Sequence, residues 1–114
     1  MWVYLTGAML SIVAHRTRPE HLLVRARLPG DIERVFPGAD VSETPQADYR
    51  FRATVPRTAV ADALARAARE IDYDNFKATL RADTPAERAR AAMYHAAHAA
   101  AGEAQHVLAV RERP

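Results

Sequence analysis

The chain has 114 residues, which is enough for one domain with a single hydrophobic core and too few for two, so we expect one domain over residues 1–114. The absence of cysteine excludes disulfides, thiolate metal ligands and cysteine nucleophiles, and it is compatible with the cytoplasm, where we expect the protein. The net charge is +2, and arginine supplies all but one of the basic residues, which favours recognition of phosphate or carboxylate groups but also fits codon bias in a GC-rich genome.

The chain begins with two short apolar segments that predict a β-hairpin. Trp2–Leu5 and Met9–Ala14 are rich in β-branched and aromatic residues, and Thr6-Gly7-Ala8 between them supplies the turn glycine. No basic region precedes the apolar residues, so we expect no signal peptide. The segment is also too short and too interrupted to span a bilayer, and we expect no membrane contact.

A third strand and a short helix are predicted next. Apolar residues alternate with Arg25 and Arg27 over 22–28, which is the period of a strand with one buried face. Pro29-Gly30 ends this strand, and Asp31 is placed to cap a helix over 32–36. The connection that follows, to Ala47, is acidic and contains a proline, so we interpret it as exposed.

The clearest change of period in the chain lies between Tyr49 and Ile71. From Tyr49 to Val55 the alternation is that of a strand, with Tyr49 and Phe51 directed to the core and Arg50 and Arg52 directed away. After Pro56 the apolar period becomes helical. The predicted buried stripe of this helix consists of Val60, Leu64, Ala67, Ala68 and Ile71.

The last third of the chain predicts helix. Asp72 to Asp74 breaks the preceding helix, and one or two further helical turns are expected between residues 75 and 81. Thr84-Pro85-Ala86-Glu87 has the pattern of a capping box with proline at the first helical position, so a helix should begin there, run to about Ala101 and end at Gly102. Residues 106–110 are predicted as an edge strand or a loose tail.

Strands followed by helices predict an α+β fold, in which an antiparallel sheet of about four strands carries two or three helices on one face. In such a fold the polar residues of neighbouring strands gather on the opposite face. The predicted nucleic-acid-binding residues on that face are Arg25, Arg27, Arg50 and Arg52 for phosphate contacts, and Trp2 or Tyr4 for base stacking. The alternative is an ordinary polar sheet face that meets water.

The acidic segment 31–48 supports a different interpretation. Beside an arginine-bearing sheet, a carboxylate-rich surface suits docking on a basic partner protein, although an ordinary solvated loop has the same composition. The predicted protein-binding residues are Asp31, Glu33, Asp40, Glu43 and Asp48.

Catalytic and metal-binding signals are weak. His95 and His98 are three apart on a predicted helix, and Asp72 and Asp74 form an acid pair, but neither pair makes a complete site and we predict no metal or other cofactor. A metal-dependent nuclease built on these residues is a third alternative. No serine has a glycine elbow and no phosphate-binding glycine loop occurs, so the prediction is a non-enzymatic protein.

Five phrases of the sequence resemble a family of short, functionally uncharacterised proteins found in bacteria and their mobile elements. They are LSIVAHR (10–16), LLVRAR (22–27), GDIERVFP (30–37), ADYRFRATVPR (47–57) and IDYDNFK (71–77). Members usually finish with an Arg-His-Asp-Ala-Tyr run followed by a tryptophan, where this chain has Arg90-Ala91-Ala92-Met93-Tyr94 and then His98. The resemblance implies a phage, plasmid or island setting, in which small binding proteins often occupy a host machine, including CRISPR effector complexes.

The leading hypothesis from the sequence is a binding protein that contacts nucleic acid or a nucleoprotein complex through its arginine-bearing sheet face. The alternative is a protein-directed inhibitor or adaptor, such as an anti-CRISPR, that binds a host effector protein through the acidic segment.

Overall fold

The structure, a computed structural model that describes residues 1–112, is an α+β fold built on an antiparallel sheet. The strands are β1 (Trp2–Leu5), β2 (Ala8–Ala14), β3 (His21–Ala26), β4 (Ser42–Glu43) and β5 (Phe51–Pro56), in the spatial order β1-β2-β3-β5-β4. The helices are α1 (Asp31–Val35), α2 (Arg57–Arg69) and α3 (Pro85–Glu112), with a 3-10 turn at Phe76–Thr79. The predicted fold class is confirmed, with five strands instead of about four because the acidic connection contributes the two-residue edge strand β4.

The core lies between one face of the sheet and the helices α1 and α2. Antiparallel pairing places Val24 of β3 opposite Ala53 of β5, so that the small side chain leaves room for its larger neighbours. Leu10 of β2, Ile32 of α1 and Val60 of α2 are almost completely buried around this pair. Burial of each such side chain stabilises the fold by roughly 1.5–3 kcal/mol.

The prediction that Tyr49 shares a face with Phe51 is wrong. The strand begins at Phe51, which packs against the core, whereas Tyr49 precedes the strand and is buried among the arginines of the opposite face. The alternation of a strand does not extend to a residue outside it. In this position Tyr49 gains two cationic partners, Arg25 and Arg27, which the apolar core does not offer.

The residue at the N-cap of α1 is Gly30 and not Asp31. Gly30 has a φ of 86°, in the left-handed region that a residue with a Cβ adopts only with strain, so glycine is needed at this position. Asp31 is the first residue of the helix and is completely buried.

α3 is longer than the sequence predicted. It continues through Gly102 to Glu112, and residues 106–110 are helical, so both the predicted end at Gly102 and the predicted strand or tail are wrong. A glycine inside a helix costs only about 1 kcal/mol, and the alanines on both sides have the highest helical propensity. Despite its 28 residues α3 is too polar to cross a membrane. No other helix within residues 1–112 is both long enough and apolar enough to do so.

The start of α3 confirms the predicted capping box. The Thr84 hydroxyl accepts a hydrogen bond from the Glu87 N–H at 3.1 Å, and the Glu87 carboxylate accepts one from the Thr84 N–H at 2.9 Å. The hydrogen bond from the Thr84 backbone, offset in part by desolvation, lowers the pKa of Glu87.

Replacing Thr84 by alanine removes the hydroxyl acceptor, and we expect it to lower the free energy of unfolding by about 1 kcal/mol. Replacing Thr84 by serine, which retains the acceptor, should leave the free energy nearly unchanged. Urea unfolding of the two variants measures the difference. Equal destabilisation by alanine and serine would contradict a role for the hydroxyl.

Candidate functional site

The face of the sheet opposite the core carries three of the predicted arginines, Arg25, Arg27 and Arg52, whereas Arg50 pairs with Glu43, the cross-strand neighbour of core-facing Phe51. Strand pairing places Arg25 of β3 opposite Ser11 of β2 on one side and opposite Arg52 of β5 on the other. Arg27 follows the end of β3. Three adjacent strands therefore contribute polar side chains to one surface, which we call the outer face.

Tyr49 organises the centre of this face. The guanidinium carbon of Arg25 lies 4.4 Å from the centre of the Tyr49 ring, and that of Arg27 lies 4.5 Å from it. Both distances are in the range of cation–π contacts. Tyr49 itself is only 5% exposed, whereas Arg27 is exposed and Arg25 is partly buried. The ring therefore holds two positive charges close together at the surface.

A hydrogen bond fixes Arg25, the more buried of the two arginines. Nη2 of Arg25 donates to the Ser11 hydroxyl at 2.7 Å, while the buried Nε of Arg25 has no partner among residues 1–112. Burial alone would raise the pKa of Tyr49, but Arg27, Ser11 and Trp2, whose polar groups face its hydroxyl, bring the pKa below its ordinary value. These hydrogen bonds, together with the charge of Arg27, therefore favour the ionised form of Tyr49.

The aromatic residues predicted for stacking lie beside the cluster. Trp2 and Tyr4 line a small cavity of about 150 Å³ together with Arg27, Tyr49 and Met93, the last from α3. Trp2 is 68% exposed, so its indole surface is open to a ligand. Tyr4 is partly covered, because its ring stacks on Tyr94 with a centroid separation of 5.0 Å.

The other two predicted arginines are paired with acidic residues. Nε of Arg50 donates to the Glu43 carboxylate at 2.7 Å, and Arg52 lies 3.5 Å from Asp48 and also donates to the Tyr49 carbonyl at 3.3 Å. These carboxylates reduce the positive charge that Arg50 and Arg52 offer. The structure thus places Arg25 and Arg27 near Trp2. These two arginines have no carboxylate partner among the described residues, whereas Arg50 and Arg52 are each paired with one.

The predicted acidic surface is not one patch. Asp31 is buried and ion-paired, Glu43 pairs with Arg50, and Asp48 pairs with Arg52. Asp40 lines a separate groove of about 570 Å³ beside α2, and Glu33 is exposed on α1. The five carboxylates therefore occupy different surroundings in the fold.

The histidine and aspartate pairs do not converge. Nε2 of His98 lies 3.3 Å from Nζ of Lys77, and His95 is exposed on α3. Within residues 1–112 no group of three or more histidine, aspartate or glutamate side chains is arranged to hold a metal ion, so Asp72 and Asp74 add no ligands to a histidine site.

The sequence did not predict the buried ion pair that joins α1 to α3. Arg90 donates from Nη2 to Oδ1 of Asp31 and lies 3.5 Å from Oδ2 through Nε, and both side chains are almost completely buried. Tyr94, one turn later, donates to the carbonyls of Leu5 and Ala8. The available signal was the spacing of Arg90 and Tyr94, four residues apart in a helix otherwise rich in alanine.

Comparisons of the chain with family models, with curated proteins and with solved structures found no match.

Proposed function

We propose that the protein is a non-enzymatic binding protein whose outer face holds single-stranded nucleic acid, either free or as part of a nucleoprotein complex. The observation that carries the proposal is the Tyr49 cluster, in which Arg25 and Arg27 are held on one ring beside the exposed Trp2. We also propose that the protein acts in the cytoplasm, in the phage or mobile-element setting that the family resemblance implies.

The chemistry of the cluster suits a nucleotide chain. The exposed Arg27, which lies over the Tyr49 ring, keeps the N–H groups around its edge free to donate to phosphate oxygens. Arg25 can offer only its remaining N–H groups, because Nη2 donates to Ser11 and Nε is buried. Because Tyr49 holds both groups in place, less side-chain entropy is lost when a phosphate binds. Trp2 would supply a surface on which one base stacks, worth about 1–3 kcal/mol in such sites.

The roles of the remaining predicted residues are smaller in this proposal. Arg50 and Arg52 already have carboxylate partners, so a phosphate would compete with Glu43 or Asp48 for them. Tyr4 offers only the part of its ring that Tyr94 leaves open. We therefore expect Arg25, Arg27 and Trp2 to dominate the affinity.

The protein-directed alternative has less support from the side-chain geometry. An inhibitor or adaptor, such as an anti-CRISPR, that used the acidic segment would need its carboxylates free for a basic partner. Burial of Asp31 and the ion pairs of Glu43 and Asp48 leave only Glu33 and Asp40 of that set available.

Fluorescence anisotropy with a labelled unstructured oligonucleotide, in DNA and RNA versions, tests the proposal. Two phosphate contacts predict that the slope of log affinity against log salt is about −1.4, because each contact to a single strand contributes about −0.7. Replacing Arg27 by glutamine should reduce the slope by one such contact, and replacing Trp2 by alanine should weaken binding about tenfold or more.

The matched control is Arg66→Gln on α2, which removes an exposed arginine from the other side of the domain. It should leave the slope and the affinity unchanged. If Arg27→Gln and Arg66→Gln reduced the affinity for the oligonucleotide equally, the binding would be non-specific attraction of the oligonucleotide to a basic protein. The absence of any binding at low salt, together with stoichiometric capture of a host protein, would favour the protein-directed alternative.

A further inference from the structure

A partly enclosed cavity of about 220 Å³ lies where α1, the β1–β2 turn and the start of α3 meet. Three arginines line it, each from a different part of the chain: Arg34 on α1, Arg81 just before α3 and Arg90 on α3. We call it the arginine cavity. Leu80 and Ala91 keep part of its wall apolar. Charges interact more strongly in such surroundings than they do in open water.

Two of these arginines share a single carboxylate. Oδ1 of Asp31 accepts from Nη2 of Arg90 and from Nη1 of Arg34, the latter at 3.2 Å. Oδ2 of Asp31 accepts from the Met9 N–H at 3.0 Å and lies 3.5 Å from Nε of Arg90. The four lone-pair sites of the carboxylate are thereby used. One negative charge therefore serves two guanidinium groups.

Each of the three arginines keeps donor groups for a ligand. Nη1 of the almost completely buried Arg90 makes no hydrogen bond to any residue between 1 and 112. Arg34 is held in place because its Nη1 also donates to the Gly7 carbonyl at 3.2 Å, and its Nη2 makes no hydrogen bond in the same part of the chain. Arg81 is exposed and forms no ion pair with the described residues.

The charges around the arginine cavity do not balance. Glu87 is the carboxylate on its wall, and Oε1 of Glu87 already accepts the Thr84 N–H at 2.9 Å in the capping box. Counting Asp31 as well, three guanidinium groups stand against two carboxylates. The cavity therefore has one positive charge in excess and calls for an anion.

We propose that the arginine cavity binds the phosphate group of a phosphate monoester. The donors of Arg34, Arg81 and Arg90 come from three elements, and therefore from different directions. A phosphate monoester offers three strong acceptor oxygens and so can accept from all of them, whereas a carboxylate offers two. The bound phosphate would link α1 to the start of α3.

Isothermal titration calorimetry of the full chain with inorganic phosphate, against chloride at equal ionic strength, tests the proposal. The wild type should bind one phosphate with a dissociation constant below about 1 mM. Arg81→Gln and Arg34→Gln should each raise this constant about tenfold, because each removes a charge-assisted hydrogen bond. Both side chains are at least half exposed, so the variants should fold, which circular dichroism checks. The matched control Arg111→Gln removes the same charge from the far end of α3 and should leave the constant unchanged.

Two further variants separate the arginine cavity from general attraction to a basic protein. Glu87→Gln keeps an oxygen for the capping box but removes the negative charge, so it should raise the affinity for phosphate about threefold or more. Ala91→Leu retains all three arginines and fills the cavity, so it should abolish phosphate binding. Phosphate binding that neither variant alters would overturn the proposal.

Glycerol phosphate and an oligonucleotide with a terminal phosphate distinguish the two sources of a phosphate monoester. If the terminal phosphate adds affinity that Arg81→Gln removes, the ligand is a nucleic-acid end. If glycerol phosphate binds through Arg81 and the terminal phosphate adds nothing, the ligand is a small molecule.

Two results would overturn the proposal outright. One is the absence of phosphate binding up to about 10 mM. The other is phosphate binding that Arg27→Gln weakens and Arg81→Gln does not, because the phosphate would then lie on the outer face. Nucleic-acid binding by the outer face is measured with oligonucleotides that lack a terminal phosphate, so it can fail while this proposal stands, and the reverse.

Discussion

Replacing Asp31 by alanine is expected to lower the free energy of unfolding by about 3–5 kcal/mol, because it leaves the Arg90 guanidinium buried without a counter-charge. The same change removes the acceptor of the Met9 N–H, which donates to Oδ2 of Asp31 at 3.0 Å. Since a domain of this size is stable by only about 5–15 kcal/mol, a large part of the total would be lost. Urea unfolding followed by circular dichroism measures the change.

Two comparisons separate this effect from a general loss of charge. Arg34 also contacts Asp31, at 3.2 Å, but its side chain is 51% exposed, so Arg34→Ala should cost no more than about 1 kcal/mol. Replacing both buried partners, as Asp31→Leu with Arg90→Met, should recover stability relative to Asp31→Ala, because no unpaired charge remains. A cost below about 1 kcal/mol for Asp31→Ala would contradict the importance of this pair.

Replacing Tyr94 by phenylalanine is expected to cost about 1–3 kcal/mol, because two carbonyl oxygens at the end of the β1–β2 hairpin lose their hydrogen-bond donor. The single hydrogen of the hydroxyl is shared between the Leu5 carbonyl at 2.6 Å and the Ala8 carbonyl at 2.7 Å. The stacking of the ring against Tyr4 and Phe76 would remain. The exposed neighbour His95 provides a control, since His95→Ala should change the free energy of unfolding by less than about 0.5 kcal/mol.

Alkaline pH provides a second measurement on the same variant. Burial, and then the charge of Asp31, raise the pKa of Tyr94 above its ordinary value of 10.0. A raised pKa means that the unfolded chain loses this proton first, so the contribution of Tyr94 is complete below about pH 10 and falls as the pH rises above it. Tyr94→Phe should therefore lose less stability than the wild type as the pH rises from about 10 to about 12. Parallel curves for the two proteins would contradict the assigned environment of Tyr94.

Local signals in the sequence predicted the elements whose formation depends on local chemistry. The hairpin around Gly7 and the capping box at Thr84 both form as predicted, because a turn glycine and a reciprocal hydrogen bond act between residues close in sequence. The alternation in β3 and β5 likewise identified Val24 and Phe51 as residues directed to the core.

Two features escaped prediction because they depend on residues distant in the chain, whereas the end of α3 and the cap of α1 were missed locally. Tyr49 would follow the strand alternation only if the strand included it, but the strand begins at Phe51. Its position is set instead by contacts with Arg25 and Arg27, which belong to another part of the chain. The buried partner of Asp31 is Arg90, 59 residues later, and no local rule connects the two. The sequence therefore predicted which residues belong to the candidate site. Only the tertiary structure shows that Arg25 and Arg27 lie on the Tyr49 ring while Arg50 and Arg52 pair with carboxylates.

The location of Trp2 has a practical consequence for these measurements. It is the single tryptophan of the chain, and its indole is already largely in contact with water in the native state. Its emission should hardly shift when the core melts, and a chemical denaturation curve recorded by fluorescence would miss most of the transition. The same residue would act as a built-in optical reporter of any molecule that covers the sheet surface beside Arg27.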